Sequence, residues 1–157
     1  MMCANKKLIL FDLNGTLSCT SRVRYSSGIK LRPHTEYLDK LFECERFEIG
    51  IFSSAMKHNV EKIVNEIYKK IKYKFHYILH RDHTILSPSI DKPYNTKKPL
   101  KQNFPEFDIN NIILVDDSTH KSLDDELKNL WNIPTWNGDK NDKIIKKIVK
   151  KLLKQVK

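Results

Sequence analysis

Asp12 closes an apolar run, "LILFD", and the chain continues "LNGTL". A carboxylate at the tip of a buried strand, opening into a turn of Asn14, Gly15 and Thr16, is a candidate nucleophile. The usual acid–base partner two residues on would be a second carboxylate; this chain has Asn14. Two other stretches end in polar groups in the same way. "FEIGIFSS" ends in Ser53 and Ser54, and "NIILVDDS" ends in Asp116, Asp117 and Ser118. Carboxylates from adjacent strand ends, beside a backbone carbonyl, make an oxygen-rich pocket suited to a hard cation such as Mg²⁺. Such an ion neutralises phosphate oxygens and lets Asp12 attack phosphorus, giving an aspartyl-phosphate that water then cleaves. Exposed N–H groups in the Asn-Gly-Thr turn and a serine hydroxyl can hold further phosphate oxygens. A lysine would balance the remaining charge.

Each piece has a plainer reading on its own. Asp-x-Asn-Gly is a common turn, paired serines after a strand can cap a helix, and "DDS" can cap another. What distinguishes this chain is the joint pattern on successive strands, which requires the three tips to converge in space.

The elements that would position those tips follow from hydrophobic periodicity. Residues 8–12, 47–54, 75–82 and 111–118 read as strands, the first and last as continuous apolar runs buried on both faces. Residues 32–44, 56–71, 120–130 and 139–156 read as helices, with Val60, Ile63, Val64, Ile67 and Ile71 inward on the second. The last has an apolar stripe from Ile144 to Val156 opposite a lysine face, which suits docking onto the final strand better than lying on a membrane. A loop and short strand are expected at 23–31 and a short strand, broken by Pro134, at 131–136. Four prolines make 86–110 mostly loop, with a turn of helix near 98–103. Strands alternating with helices predict an α/β fold: a Rossmann-like, mostly parallel sheet with helices on both faces. In such sheets the working site lies at the carboxyl ends of the strands. The whole chain, 1–157, reads as one domain, without repeat or linker.

Composition bounds the partners. The net charge is +10, which favours acidic or phosphorylated partners, nucleic acid included, although solvated lysine faces would give the same number. No run approaches the ~20 apolar residues of a membrane span, and the N-terminal apolar stretch is too short for a signal peptide. A cytoplasmic or nuclear chain, with no membrane partner and monomeric, is expected. The three cysteines, Cys3, Cys19 and Cys44, are odd in number and at no metal spacing, so free thiols are expected.

The motifs together resemble the haloacid dehalogenase (HAD) superfamily of phosphotransferases. "FDLNGTL" resembles its first motif, Asp-x-Asp-x-Thr; "IFSSA" resembles the second and "ILVDDS" the last. Within it, "LRPHTEYLDKL", "FEIGIFSSAMKHNVEKIV" and "LWNIPTWNGDKNDKII" resemble blocks of the FCP/SCP group, the NLI-interacting-factor-like carboxy-terminal-domain phosphatases. The resemblance runs from about residue 7 to 153. It implies a HAD core with a small or absent cap, Asp12 as nucleophile and Mg²⁺ ligand, and Asn14 giving the metal its backbone carbonyl. Ser53 would bind the phosphoryl group with Ser54 beside it, and Arg81 in "HRD" would lie near the substrate groove. Thr16 would steady the first loop on the substrate side. Lys98 in "TKKPL" matches the group's lysine, with Lys97 as the fallback; Asp116 would hold that lysine and Asp117 would reach the metal. The stretch between Leu17 and Arg32 is short, so the group's inserted hairpin is expected to be small or absent.

The resemblance makes a phosphorylated protein segment the expected substrate, through phosphoserine or phosphothreonine. A phosphatase for nucleic-acid ends, which the charge would suit, and a phospho-ligand binding module without turnover stand as alternatives. Asn14 bears on that choice, because an amide can neither protonate a leaving oxygen nor activate water, help worth about 10²–10⁴ in rate. It reads as a substitution made to trap an intermediate, as a natural retuning, or as the mark of a binding domain. The rest of the set, Asp12, Ser53, Lys98 and Asp116, favours an enzyme lineage. No histidine is placed to replace the missing acid; His83 and His120 come nearest.

Overall fold

The computed structural model describes residues 6–20 and 28–156. Cys3 and most of the expected loop at 23–31 lie outside them. Five parallel strands form the central sheet: β1 (Lys7–Phe11), β4 (Phe47–Phe52), β5 (Tyr77–Leu79), β8 (Ile112–Asp116) and β9 (Leu130–Asn132), in the spatial order β5-β4-β1-β8-β9. β1 lies at the centre because both of its faces and both of its edges can be buried. Its register sets Leu10 beside Gly50 and Leu114, and Phe11 beside Ile51 and Val115. The chain leaves β1 for one side of the sheet and later returns to the other. The crevice beyond its carboxyl end is therefore the topological switch point of the fold.

Helices cover the two faces unequally. α1 (Leu38–Phe42), α2 (Lys57–Tyr68) and α4 (Ile144–Lys154) all pack on the face carrying Ile9, Phe11, Ile49, Ile51, Ile113 and Val115. On α2, Val60, Ile63, Val64 and Ile67 point inward, as the helical spacing predicts; Ile145, Val149 and Leu152 do so on α4. The opposite face, with Leu8, Leu10, Phe52 and Leu114, is closed by the short α3 (Leu100–Asn103) and the aromatic side chains of Phe104 and Phe107. Three rings, Tyr77, Phe104 and Phe107, meet edge to face there.

The structure departs from the sequence reading in several local respects. Residues 120–130 form two 3₁₀ turns (Thr119–Lys121 and Asp124–Asn129) instead of an α-helix. Asp124, Asp125 and Glu126 crowd the start of the second, and the Glu126 carboxylate turns inward to accept from the N–H groups of Leu100 and Lys101 at 2.7 and 3.0 Å. Residues 139–143 precede α4 without joining it. The stretch read as mostly loop contains an antiparallel hairpin, β6 (Ile85–Leu86) with β7 (Thr96–Lys97). Another small hairpin pairs β2 (Ser18–Thr20) with β3 (Ile29–Leu31) in the stretch expected to be short. The serines do not cap α2: Met56 occupies that position with no side-chain hydrogen bond, which frees Ser53 and Ser54 for other roles. Among the described residues no helix is long and apolar enough to cross a membrane.

Candidate active site

Asp12 is the first residue past β1, its N–H still donating to the Val115 carbonyl at 3.0 Å. The next residues wind into a tight turn in which the N–H groups of Thr16, Leu17 and Ser18 all converge on the Leu13 carbonyl. Gly15 makes that turn possible. Its φ is +90°, and a Cβ there would meet Asp117, with the carboxylate carbon at 2.7 Å. The loop is buttressed from outside by the buried Arg32. Its Nη1 donates to the carbonyls of Thr16 (3.1 Å) and Gly15 (3.4 Å), while Nε and Nη2 form a fork with Asp142 at 2.8 and 2.9 Å. The Trp136 N–H adds a further bond to the Gly15 carbonyl at 2.9 Å.

β8 ends beside β1 and delivers Asp116 and Asp117 to the same place. One ligand oxygen from each of Asp12, Asp116 and Asp117 lies within 4.8 Å of the others. The Lys98 ammonium bridges two of them, at 3.0 Å from Asp12 Oδ1 and 2.6 Å from Asp116 Oδ2. Lys97 points elsewhere, into the carbonyls of His120 and Ser122. Successive side chains of an extended segment point to opposite sides, and of the two adjacent lysines only Lys98 faces the carboxylates. The second oxygen of Asp116 accepts from the Ser118 N–H at 2.9 Å. The carboxylate of Asp117 accepts from the Thr135 hydroxyl at 2.8 Å.

An open cavity of about 340 Å³ lies above this floor. Asp12, Asn14, Ser53, Ser54, Arg81, Lys98 and Asp116, all anticipated from the sequence, reach its wall. Ser53 enters at the end of β4, and its hydroxyl accepts from the Ala55 N–H at 3.0 Å. Arg81 is fixed at its backbone by a bond from its N–H to the Ala55 carbonyl, and its Nε donates to the Ser54 carbonyl at 3.0 Å. Asn14 is exposed at the rim, and its side-chain oxygen accepts from the Ser18 hydroxyl at 3.4 Å. Asp117 lies behind the wall, toward Thr16 and Thr135. Thr16 is wholly buried; its hydroxyl donates to Asp12 Oδ2 at 3.2 Å and to Asp117 at 3.4 Å. Expected on the substrate side, it has no exposed surface in the cavity, and its hydroxyl faces the two carboxylates instead. Ser118, named at the β8 tip but given no role, also lines the cavity, and so does Lys121, which sequence reasoning missed. The only local signal for Lys121 is its position just after the β8 tip.

The electrostatics are those of an overcrowded anionic pocket. Burial pushes the Asp12 carboxyl up; the Lys98 charge works against this and Asp116 reinforces it. Burial opposes the charge on Lys98, but Asp12 and Asp116 outweigh it and hold the ammonium above its ordinary range. Asp117 is likewise raised, by burial first, with the Thr135 hydrogen bond opposing and Asp12 adding to the shift. Three carboxylates facing one ammonium leave an excess of negative charge. With oxygen donors within 4.8 Å of each other, the set fits a hard divalent cation, which would relieve that excess.

The family model described as NLI interacting factor-like phosphatase matches residues 7–157. The chain belongs to that family. Its fold matches fission yeast Fcp1, an RNA polymerase II CTD phosphatase, solved as an R271A variant bound to beryllium fluoride. There the TM-score is 0.60 at 18% identity, over 96% of this chain and 50% of that one. A second structure of Fcp1, described as an essential RNA polymerase II CTD phosphatase, matches with TM-score 0.57 at 19% identity, over 98% of this chain and 50% of that one. This member of the NLI interacting factor-like family thus has the HAD-type fold and spans about half the length of those Fcp1 chains. Comparison with curated proteins finds no match.

Proposed function

We propose that this chain is a Mg²⁺-dependent phosphomonoesterase that uses Asp12 as its nucleophile, acting on phosphoserine or phosphothreonine in proteins. The observation that carries the reading is the placement of Asp12. It is a carboxylate at the floor of an open cavity, paired with a buried lysine, with two more carboxylates in reach. A structural aspartate would gain nothing from an open cavity in front of it.

In this reading, an Asp12 oxygen attacks phosphorus and the bond from phosphorus to the leaving serine or threonine oxygen breaks. Water then releases phosphate and regenerates the carboxylate. Lys98 opposes the effect of burial on the Asp12 charge and screens it from Asp116. Thr16 fixes the rotation of the Asp12 carboxylate. Ser53 and Arg81 hold the phosphoryl oxygens, since the amides of Gly15, Thr16, Leu17 and Ser18 are spent inside the turn. Asp12, Asp117 and the Asn14 carbonyl would hold a Mg²⁺ ion, which supplies positive charge for the non-bridging oxygens. The departing alkoxide takes its proton from water, because the Asn14 amide has none to give. Turnover is consequently slow on alkyl phosphates and less impaired on phenyl phosphates.

Membership of the phosphatase family supports the reaction class, and the likeness to Fcp1, an RNA polymerase II CTD phosphatase, supports a phosphorylated protein as substrate. The stretch between Leu17 and Arg32 is short, so the proposal stops at phosphoserine and phosphothreonine and does not extend to a polymerase tail. The net charge of +10 favours a second reading, a phosphorylated nucleic-acid end.

The test is hydrolysis of p-nitrophenyl phosphate with Mg²⁺ by the native chain, Asn14→Asp and Asp12→Ala. Asn14→Asp should exceed the native chain, by less than the about 10²–10⁴-fold expected on an alkyl phosphate because the phenolate leaves readily, and Asp12→Ala should lose all turnover. If Asn14→Asp shows no more activity than Asp12→Ala, the esterase reading is wrong and a binding module remains. Comparing a phosphopeptide with a 5′-phosphorylated oligonucleotide then decides the substrate. Preference for the oligonucleotide, with strong salt dependence, would replace the protein reading.

A further inference from the structure

The charges around the cavity do not balance without Lys121. Asp12, Asp116 and Asp117 against Lys98 leave two negative charges, which a divalent cation cancels. A phosphomonoester then brings close to two more. Two cations on the cavity wall remain to meet them, Arg81 and Lys121. Among the described residues, neither has a carboxylate within 4.0 Å, whereas Lys98 has two.

Lys121 is held in place before any ligand arrives. It ends the 3₁₀ turn that follows β8, and its carbonyl accepts from the Lys98 N–H at 2.6 Å. On either side of it, the carbonyls of His120 and Ser122 are clamped by the Lys97 ammonium at 2.8 and 3.2 Å. Among the described residues its own ammonium has a single long hydrogen bond, 3.5 Å to the Thr96 hydroxyl. Burial and the neighbouring Lys98 charge both work against its ionised form, so an anion in the cavity would relieve it.

From this arrangement, and resting on the phosphomonoesterase reading, we infer that Lys121 is a substrate-binding residue: with Arg81 it takes the charge of the dianionic phosphoryl group. The two lysines divide the work. Lys98 serves the carboxylates at the floor, and Lys121 serves the incoming anion from the wall. This also accounts for the hairpin β6–β7, whose final residues supply both the Lys97 clamp and the Thr96 contact.

Calorimetric titration of the folded chain with inorganic phosphate in the presence of Mg²⁺ tests the assignment. The variants are Lys121→Gln, which keeps the stem and a hydrogen-bonding end, Lys121→Arg, and Lys150→Ala on the exposed face of α4 as a control. Loss of a charged hydrogen bond predicts a rise in Kd of about tenfold or more for Lys121→Gln. Lys121→Arg should stay within about threefold of the native chain, and Lys150→Ala should match it, since only cavity charge matters. A Kd for Lys121→Gln within twofold of native, or an Arg variant as weak as the Gln variant, overturns the inference. So does a native chain with no saturable phosphate binding. The readout is separate from turnover. Phosphate bound through Lys121 by a chain whose Asn14→Asp variant is inert would sustain this assignment while removing the esterase reading. Turnover by Asn14→Asp with a Kd indifferent to Lys121 would do the reverse.

Discussion

Arg32 and Asp142 are 110 residues apart in sequence and joined by a two-pronged ion pair, Nε to Oδ1 at 2.8 Å and Nη2 to Oδ2 at 2.9 Å. Arg32 is fully enclosed, and its remaining nitrogen reaches the carbonyls of Gly15 and Thr16. The pair thereby ties the nucleophile loop to the start of α4, where Asp142 Oδ1 also accepts from the Ile144 N–H at 3.0 Å.

Removing either partner should be costly. Asp142→Asn leaves the guanidinium buried without its countercharge, and Arg32→Ala opens a hole behind the loop. Each should destabilise the fold by about 3–5 kcal/mol, read from urea unfolding. Arg32→Lys should recover only part, because an ammonium cannot make the fork and reach the two carbonyls together. Variants that unfold within 1 kcal/mol of the native chain would show that the loop is held by other means.

The same pair predicts an acid limb in stability. The hydrogen bond from Arg32 chiefly holds the Asp142 carboxyl below the ordinary carboxylate range, with burial opposing it. The folded state thus binds the proton less readily than the unfolded state. The stabilisation is fully present above the unfolded value of about 3.9 and is lost as pH falls through the lower folded value. Melting temperatures of Asp142→Asn should converge on those of the native chain in that window. Parallel curves down to the lowest pH would refute the linkage.

Gly15→Ala should damage both loop and site. The positive φ disfavours any side chain, which costs about 1–3 kcal/mol, and the new methyl would strike the Asp117 carboxylate. A weaker response to Mg²⁺ than the loss of stability alone would give is the expected signature, read by metal titration at a temperature where the variant stays folded.

Mg²⁺ itself should stabilise the chain. An ion that binds only the folded state at a hundredfold over its Kd adds about 2.7 kcal/mol. Melting in EDTA should therefore fall several degrees below melting in Mg²⁺, and Asp117→Asn should largely abolish the difference. An identical melting temperature in both buffers would argue against a cation among these carboxylates.

The strands β1, β4 and β8 and the polar tips beyond them were legible in the sequence, because a strand buried on both faces must be a continuous apolar run. Where such a run stops, the chain emerges at the strand end. Helix α2 was legible for the same kind of reason: its inward residues recur at helical spacing. The one-turn α3 was expected near 98–103 only as a turn of helix among prolines, and the 3₁₀ turns at 119–121 and 124–129 were not legible, since elements that short carry no period. Glu126 illustrates this well: it looks like a surface residue of a helix until the amides of Leu100 and Lys101 are brought to it.

The sequence by itself determined which residue types stand at the ends of the central strands, and hence the order of the fold and the chemistry available to it. Only tertiary structure decided which side chains share one space. It turned Lys98 inward and Lys97 outward, buried Thr16, set Lys121 on the cavity wall and coupled Arg32 to Asp142. The physical reason is range. Hydrophobic periodicity is a property of neighbours in the chain, whereas the charge balance of a site depends on distances between residues as far apart as Asp12 and Asp116. The folded sheet alone sets those distances.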